Sequence, residues 1–264
     1  MFLYIKNIYN PSPNIILESD VNDQILRKNF LVKYLKSYFL ELPTDIETFN
    51  KRFKKKFIYN IKREKKLLNQ FLHDVEFNIL TKRDDLGYFL PKVYDLFNER
   101  WKDEFTSSCW KKRHCFQKYA DALTYLASNN EGFLAVIHNK ENLFGYAYCL
   151  INKDNLSVHM YQHTVKRVKF PVSISIGKIL IYDLIQYLIN EKFRILDFMI
   201  GDSKYKIEWT KNNFQWTYLI IPKNVLGVFK VPVTKARFFF QYWKPSRVFF
   251  KKLFKILEDL NGRK

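Results

Sequence analysis

Three apolar runs, GFLAVIH (132–138), LFGYAYCLI (143–151) and LSVHMYQHTV (156–165), follow one another with only the polar spacers Asn139–Asn142 and Asn152–Asn155 between them. Each run has the length of a strand, and spacers this short force successive strands to turn back on one another as a meander. The loop KRVKFPVSIS comes next, then helical periodicity from Ile176 to Glu191, then RILDFMI (194–200), a strand apolar enough to be buried. A three-stranded meander followed by a helical crossover requires an α+β or α/β arrangement with a mixed sheet.

The flanking segments add elements to this frame. KSYFLELP (36–43) reads as a short strand ending at Pro43, after which Thr44 or Asp45 caps a helix expected to run to about Leu72. Ile46, Phe49, Phe53, Phe57, Ile61, Leu68 and Leu72 recur along it as one apolar stripe. VEFNIL (75–80) is a further strand, and Asp85–Trp101 and His114–Ala127 are helical. Gly201 breaks the strand 194–200, QWTYLIIP (215–222) gives one more, and the tail from Thr234 reads as helical.

Composition sets the class. A chain of 264 residues with 25 Phe and 17 Tyr can bury a large core, and disordered chains lack such aromatic density. No stretch approaches the roughly 20 apolar residues that a membrane span needs. The opening MFLYIKNIYNPSP lacks the apolar core and small-residue cleavage site of a signal peptide, which predicts a cytoplasmic protein. Cys109, Cys115 and Cys149 form neither a disulfide framework nor a CxxC pattern. Cys109, His114 and Cys115 lack a nearby fourth ligand, so no metal is expected.

The net charge of +19 is concentrated. Lys51–Lys66 has nine basic residues and one acid, Glu64, and Lys230–Lys264 has ten basic and two acidic residues, so each segment carries +8. Such patches favour anionic partners, although an exposed, solvated helix face accounts for most lysines of the first segment.

The segment RILDFMIGDSKYKIEW (194–209) resembles the "Asp-Phe … Gly-Asp … Tyr-Lys … Trp" signature of the GNAT acyltransferase branch grouped with cellulose-biosynthesis proteins and related to Fem-type aminoacyltransferases. SISIGKIL (173–180) is similar to that branch's "Ser-Pro-Gly-x-Leu-Leu" segment, with Ile176 in place of Pro. FNKRFKKKFIYNIKREKKL resembles its arginine-rich helix, and LFNERW (96–101) its "Leu-His-x-Arg-Trp", with Phe97 or Asn98 for His. The resemblance covers roughly residues 36–222. It implies a GNAT fold with a central mixed, mostly antiparallel sheet flanked by helices. It also implies an abbreviated N-terminal half (1–85), a complete acyltransferase domain (86–233) and a basic, aromatic C-terminal tail (234–264).

What the resemblance implies chemically is N-acylation by acyl-coenzyme A, most simply acetyl-CoA, of an amino sugar or nucleotide-linked amino sugar in surface polysaccharide assembly. Ser175, Ile176, Gly177 and Lys178 open the helix whose N-terminal N–H groups suit a pyrophosphate, and Lys166, Arg167 and Lys169 precede it. Alternation along LSVHMYQHTV predicts His159, Tyr161 and His163 on one face, where a histidine could serve as general base; half-exposed sheet residues are the bland alternative. In the segment 201–206, Tyr205 is expected to protonate the leaving thiolate and Lys206 to meet a phosphate or oxyanion. Asp202 is expected to bind the amine or orient Lys206. A helix-start packing pair is the structural alternative for Tyr205 and Lys206. Asp197, within an apolar strand, needs a partner if buried.

Two other classes compete. An aminoacyl-tRNA or acyl-carrier-protein donor, as in Fem-like enzymes, would suit the basic segments. A non-enzymatic basic protein would use KARFFFQYWKPSRVFFKKLFK (235–255) on a membrane surface or on nucleic acid. No nucleic-acid motif appears, so nucleic acid ranks last, behind peripheral membrane contact through 234–264 and simple core packing of that tail.

Overall fold

The spacers that define the meander close through their own asparagines. Asn139 Oδ1 accepts from the backbone N–H groups of Glu141 and Asn142 at 3.1 and 2.9 Å, and Asn152 and Asn155 cap the second turn in the same way. The structure, a computed structural model, describes residues 4–10, 31–102 and 109–221, with side chains over 36–102 and 110–214. The proposed tail helix, 234–264, lies outside the described residues.

In chain order the elements are β1 (Tyr4–Asn10), β2 (Leu31–Glu41), α1 (Ile46–Lys51), α2 (Lys55–Leu72), β3 (Glu76–Leu80), α3 (Arg83–Trp101), a 3-10 turn (Cys109–Lys111), α4 (Arg113–Ser128), β4 (Gly132–His138), β5 (Leu143–Asn152), β6 (Ser157–Val165), α5 (Ile176–Asn190), β7 (Ile195–Ile200), α6 (Lys204–Trp209) and β8 (Asn213–Ile221).

They belong to two units. Of the described residues, the smaller holds 4–10, 31–37, 200–204 and 213–221, and in it β1 pairs antiparallel with β8, Tyr4 opposite Ile221 and Asn10 opposite Gln215. Gly201 belongs to this unit and has φ 128°, a backbone that side chains rarely adopt. The larger holds 38–199 and 205–212, so the boundary expected near residue 85 falls inside it. The reason is pairing and packing: β3 is hydrogen-bonded to β4, and α2 shares a core with α5.

Within the larger unit the strands follow the order β2-β7-β6-β5-β4-β3, antiparallel through β3-β4-β5-β6 and parallel between β6 and β7. Helices cover both faces, which is why β4 reads GFLAVIH without a polar alternation. On one face Phe133, Ala135, Ala147 and Cys149 pack with α1, α2 and the nearly all-apolar α5. On the other, Leu134, Val136, Tyr146 and Tyr148 pack with α3, α4 and Trp110. The fold is a mixed α/β one with a mostly antiparallel central sheet between helical layers.

One long helix was expected from residue 44 to 72, and two are found. Asp45 caps the first, accepting from Thr48 N and Thr48 Oγ1 at 2.7 Å each. The break at Arg52–Lys54 lies where five cations fall within Lys51–Lys56 and would repel along a continuous helix. The aromatic stripe survives the break: Phe49, Phe53 and Phe57 all pack on Trp209, at 6.5, 5.8 and 5.3 Å between ring centres.

Candidate active site

β6 and β7 stay paired for three residues only, Ser157 with Ile195, Val158 with Leu196 and His159 with Asp197. Beyond that point β6 continues to Val165 while β7 bends away, leaving a wedge at the C-terminal ends of two parallel strands, the place where such sheets bind ligands.

The bend is built by the motif itself. Met199 has φ 60°, a left-handed conformation unfavourable for its side chain. Its N–H donates to Asp197 Oδ1 at 2.7 Å, and its carbonyl accepts from Lys206 Nζ at 2.6 Å. Asp197 and Lys206 are both buried, so these bonds clamp a strained residue from both sides. Lys206 thus holds backbone, where the sequence suggested a phosphate or an oxyanion.

Tyr205 and His163 meet in the wedge with ring centres 4.9 Å apart, edge to face, and Phe198 packs on Tyr205 at 6.2 Å. Burial raises the Tyr205 phenol above its ordinary pKa, so it keeps its proton through the neutral range. Burial, with the Lys206 charge behind it, lowers His163 to about 4 and keeps the imidazole neutral.

His159 does not share a face with His163, contrary to the simple alternation of the strand. Along β5, Tyr148 pairs with Gln162 but Cys149 pairs with Met160, so Tyr161 is an extra residue, a β-bulge. His163 therefore lies opposite Ala147 on the α5 side, whereas His159 lies opposite Leu150 on the α3–α4 side. Both ring nitrogens of His159 are engaged, Nδ1 with Asp197 Oδ2 at 3.1 Å and Nε2 with Ser157 Oγ at 3.2 Å. The partner that a buried Asp197 requires is thus His159, together with Met199 N–H.

The α5 N-terminus abuts the end of β6. Ser175 is the N-cap and accepts from Lys178 N at 3.4 Å. A Cβ on Gly177 would come no closer than 3.9 Å to Val165, so protein packing alone would admit a small side chain there. Ile176 is buried beneath the cap. Lys178 is occupied: its Nζ lies 2.9 Å from Glu208 and 5.5 Å from the Phe57 ring centre. Arg167 and Lys169 are exposed and Lys166 half-buried. Asp202 is exposed and belongs to the smaller unit.

Sequence reasoning missed Glu64. The one acid in the basic segment accepts from Ser175 N at 2.9 Å, placing a carboxylate at the positive end of α5. Its isolation among nine cations was the available signal. The next residue, Lys65, donates to both oxygens of the buried Asp183 at 2.8 Å. A cleft of about 390 Å3 opens beside this pair, between α2, β3 and α5, and none of the expected site residues lines it. Among the described residues, no three His, Cys, Asp or Glu side chains converge as a metal site.

A family model described as "Acetyltransferase (GNAT) domain" matches residues 55–207. No curated protein matches the chain. Among solved structures, the chain is similar to the C-terminal DUF2156 domain of a candidate lysylphosphatidylglycerol synthetase from Agrobacterium fabrum, at 7% identity and TM-score 0.49 over 80% of this chain and 66% of that one. It is also similar to L-PGS from Bacillus licheniformis, at 13% and 0.48 over 79% and 66%. A third, the PaiA N-acetyltransferase of Thermoplasma acidophilum in complex with coenzyme A, matches at 11% and 0.36 over 55% of this chain and 99% of that one. The chain spans just under two thirds of the first two structures.

Proposed function

The chain belongs to the GNAT acetyltransferase family, and from that premise we propose that it acetylates the amine of an amino sugar, free or nucleotide-linked, with acetyl-CoA as donor. The family makes it an acyl-CoA-dependent N-acyltransferase. The sugar, and a role in surface polysaccharide assembly, are the finer part of the proposal. The observation that carries the reading is the wedge between β6 and β7, with Tyr205 and His163 inside it and the start of α5 beside it.

The thioester arm of the donor enters this wedge. Its pyrophosphate meets the N–H groups at the start of α5, with Lys166, Arg167 and Lys169 supplying positive charge. The backbone around the Tyr161 bulge, where the ladder is interrupted, supplies an N–H to the thioester carbonyl. The amine attacks that carbon, the C–S bond breaks, the thiolate takes the proton held by Tyr205, and the extra proton on the new amide nitrogen passes to solvent, which reprotonates the phenolate. A raised phenol pKa suits this step, since the proton must be present until sulfur needs it.

Neither histidine suits the role of base toward the incoming ammonium. His159 has both nitrogens engaged, and His163, lowered to about 4, binds a proton weakly. The amine therefore enters neutral, having lost its proton to solvent. Log kcat/KM should rise with pH along the acceptor's own amine titration, and an inflection near 6.5 would restore a histidine base.

A second reading has support in the basic helix: every lysine and arginine of Lys51–Lys66 is exposed, which suits an acidic macromolecular donor such as aminoacyl-tRNA or an acyl carrier protein. Calorimetric titration with acetyl-CoA, free CoA and total tRNA at physiological salt separates the two. Micromolar acetyl-CoA binding, lost in Gly177→Phe and retained in Gly177→Ala, supports the first. Salt-sensitive tRNA binding without CoA binding supports the second.

A further inference from the structure

The face of the sheet away from α5 carries an aromatic wall that the chemistry above leaves unused. Tyr161, the residue displaced by the bulge, is 39% exposed. Its ring lies 5.9 Å from Tyr119 of α4, nearly parallel at 28°, and 5.7 Å from Tyr148 of β5. The two supporting rings are fixed. The Tyr148 hydroxyl donates to the Tyr119 carbonyl at 3.2 Å, and Trp110 packs on both, at 5.8 and 5.4 Å. Burial, reinforced by the neighbouring Tyr161 phenol, pushes Tyr148 up to about 12, so its hydroxyl stays a donor.

Position and charge then narrow what this wall can take. Tyr161 stands two residues, roughly 7 Å along the strand, from His163. A ligand on its ring therefore lies beside the wedge but on the opposite side of the sheet from α5. The segment bearing Tyr119 contributes exposed cations at Lys112, Arg113 and Lys118. An aromatic surface built partly on a segment that carries exposed positive charge suits a flat ring bearing an anionic group.

We propose that Tyr161, backed by Tyr119 and Tyr148, is the platform on which a ring of the acceptor stacks, either the apolar face of a pyranose or a nucleobase, with phosphate groups toward Lys112, Arg113 and Lys118. Only the identification of this ligand as the acceptor rests on the acyltransferase reading; the platform itself does not.

Binding of glucosamine, uridine diphosphate and uridine diphosphate-linked glucosamine is measured by calorimetry on wild type, Tyr161→Ala and Tyr161→Phe, with acetyl-CoA as the parallel titrant. The nucleotide-linked sugar is expected to bind wild type, to weaken about tenfold in Tyr161→Ala, and to be nearly unchanged in Tyr161→Phe, since stacking needs the ring and not the hydroxyl. Acetyl-CoA affinity reports separately on the donor site, and a parallel loss of it in Tyr161→Ala would assign the effect to the bulge backbone and overturn the platform. Whichever simpler probe retains the Tyr161 dependence identifies the stacked ring. Equal binding to Tyr161→Ala, or no binding of any probe to wild type, overturns the platform. Tyr161-dependent binding without acetyl-CoA binding supports the platform and removes the acyltransferase reading instead.

Discussion

At the residue scale, the wedge separates two tasks carried by neighbouring residues of one short motif. In the proposed mechanism Tyr205 serves the chemistry, while Lys206 holds the Met199 backbone. Tyr205→Phe should keep the fold and lower kcat by about 100-fold, the usual scale for a lost general acid. Steady-state kinetics with matched circular dichroism would check it, and wild-type turnover would remove the tyrosine from the mechanism. His163 offers a test that needs no substrate. Its folded pKa of about 4 lies below the unfolded value of 6.5, so the unfolded chain binds the extra proton between those limits. Stability from this group is full above pH 6.5 and is lost as pH falls toward 4, by about 3 kcal/mol at most. Urea unfolding of wild type and His163→Phe across this window should show the wild type losing more stability on acidification. Parallel losses would place His163 in a wetter setting.

At the element scale, Lys206 joins α6 to β7 through the Met199 carbonyl, while Asp197 holds the same residue's N–H from within β7. Asp197→Ala and Lys206→Ala should each destabilise by about 1–3 kcal/mol, and the double variant by less than their sum, because both hold the backbone of one residue, Met199. Full additivity by denaturant titration would mean two independent roles. The start of α5 carries a different prediction. Glu64→Gln removes a negative charge from the end expected to receive a pyrophosphate, and should tighten acetyl-CoA binding several-fold. Unchanged or weaker binding would show that Glu64 organises the loop and does not oppose the ligand. Most of these elements were legible beforehand, because strand-length runs and asparagine-rich spacers speak through local chemistry alone. Two features were not. The helix break at Arg52–Lys54 leaves the apolar stripe intact, so periodicity could not reveal it. The face of His159 depended on Tyr161 leaving the ladder, and that is decided by the partner strand β5, not by the alternation of β6. Tyr205 was singled out through its motif, whereas Glu64 and the Met199 clamp required knowing which distant segments meet.

At the scale of the molecule, the +19 charge and the two-sided sheet frame the function together. Attraction of an anionic donor by so basic a chain acts over about 10 Å at 0.1 M salt, so the association rate for acetyl-CoA should fall as salt rises while dissociation changes less. Stopped-flow binding at two ionic strengths would check this, and a salt-independent association rate would confine the charge to other partners. The bulge at Tyr161 has a longer reach than its single residue suggests. It acts as a change of parity, so that odd-numbered positions before it and odd-numbered positions after it address different layers of the protein. Deleting Tyr161 would leave Met160 opposite Cys149 and Gln162 opposite Tyr148 in a regular ladder, so His163 would keep its place opposite Ala147 and only the extra ring would be lost. A strand one residue shorter, read in plain alternation, would address the same two layers; the bulge adds a ring to one of them without disturbing the other.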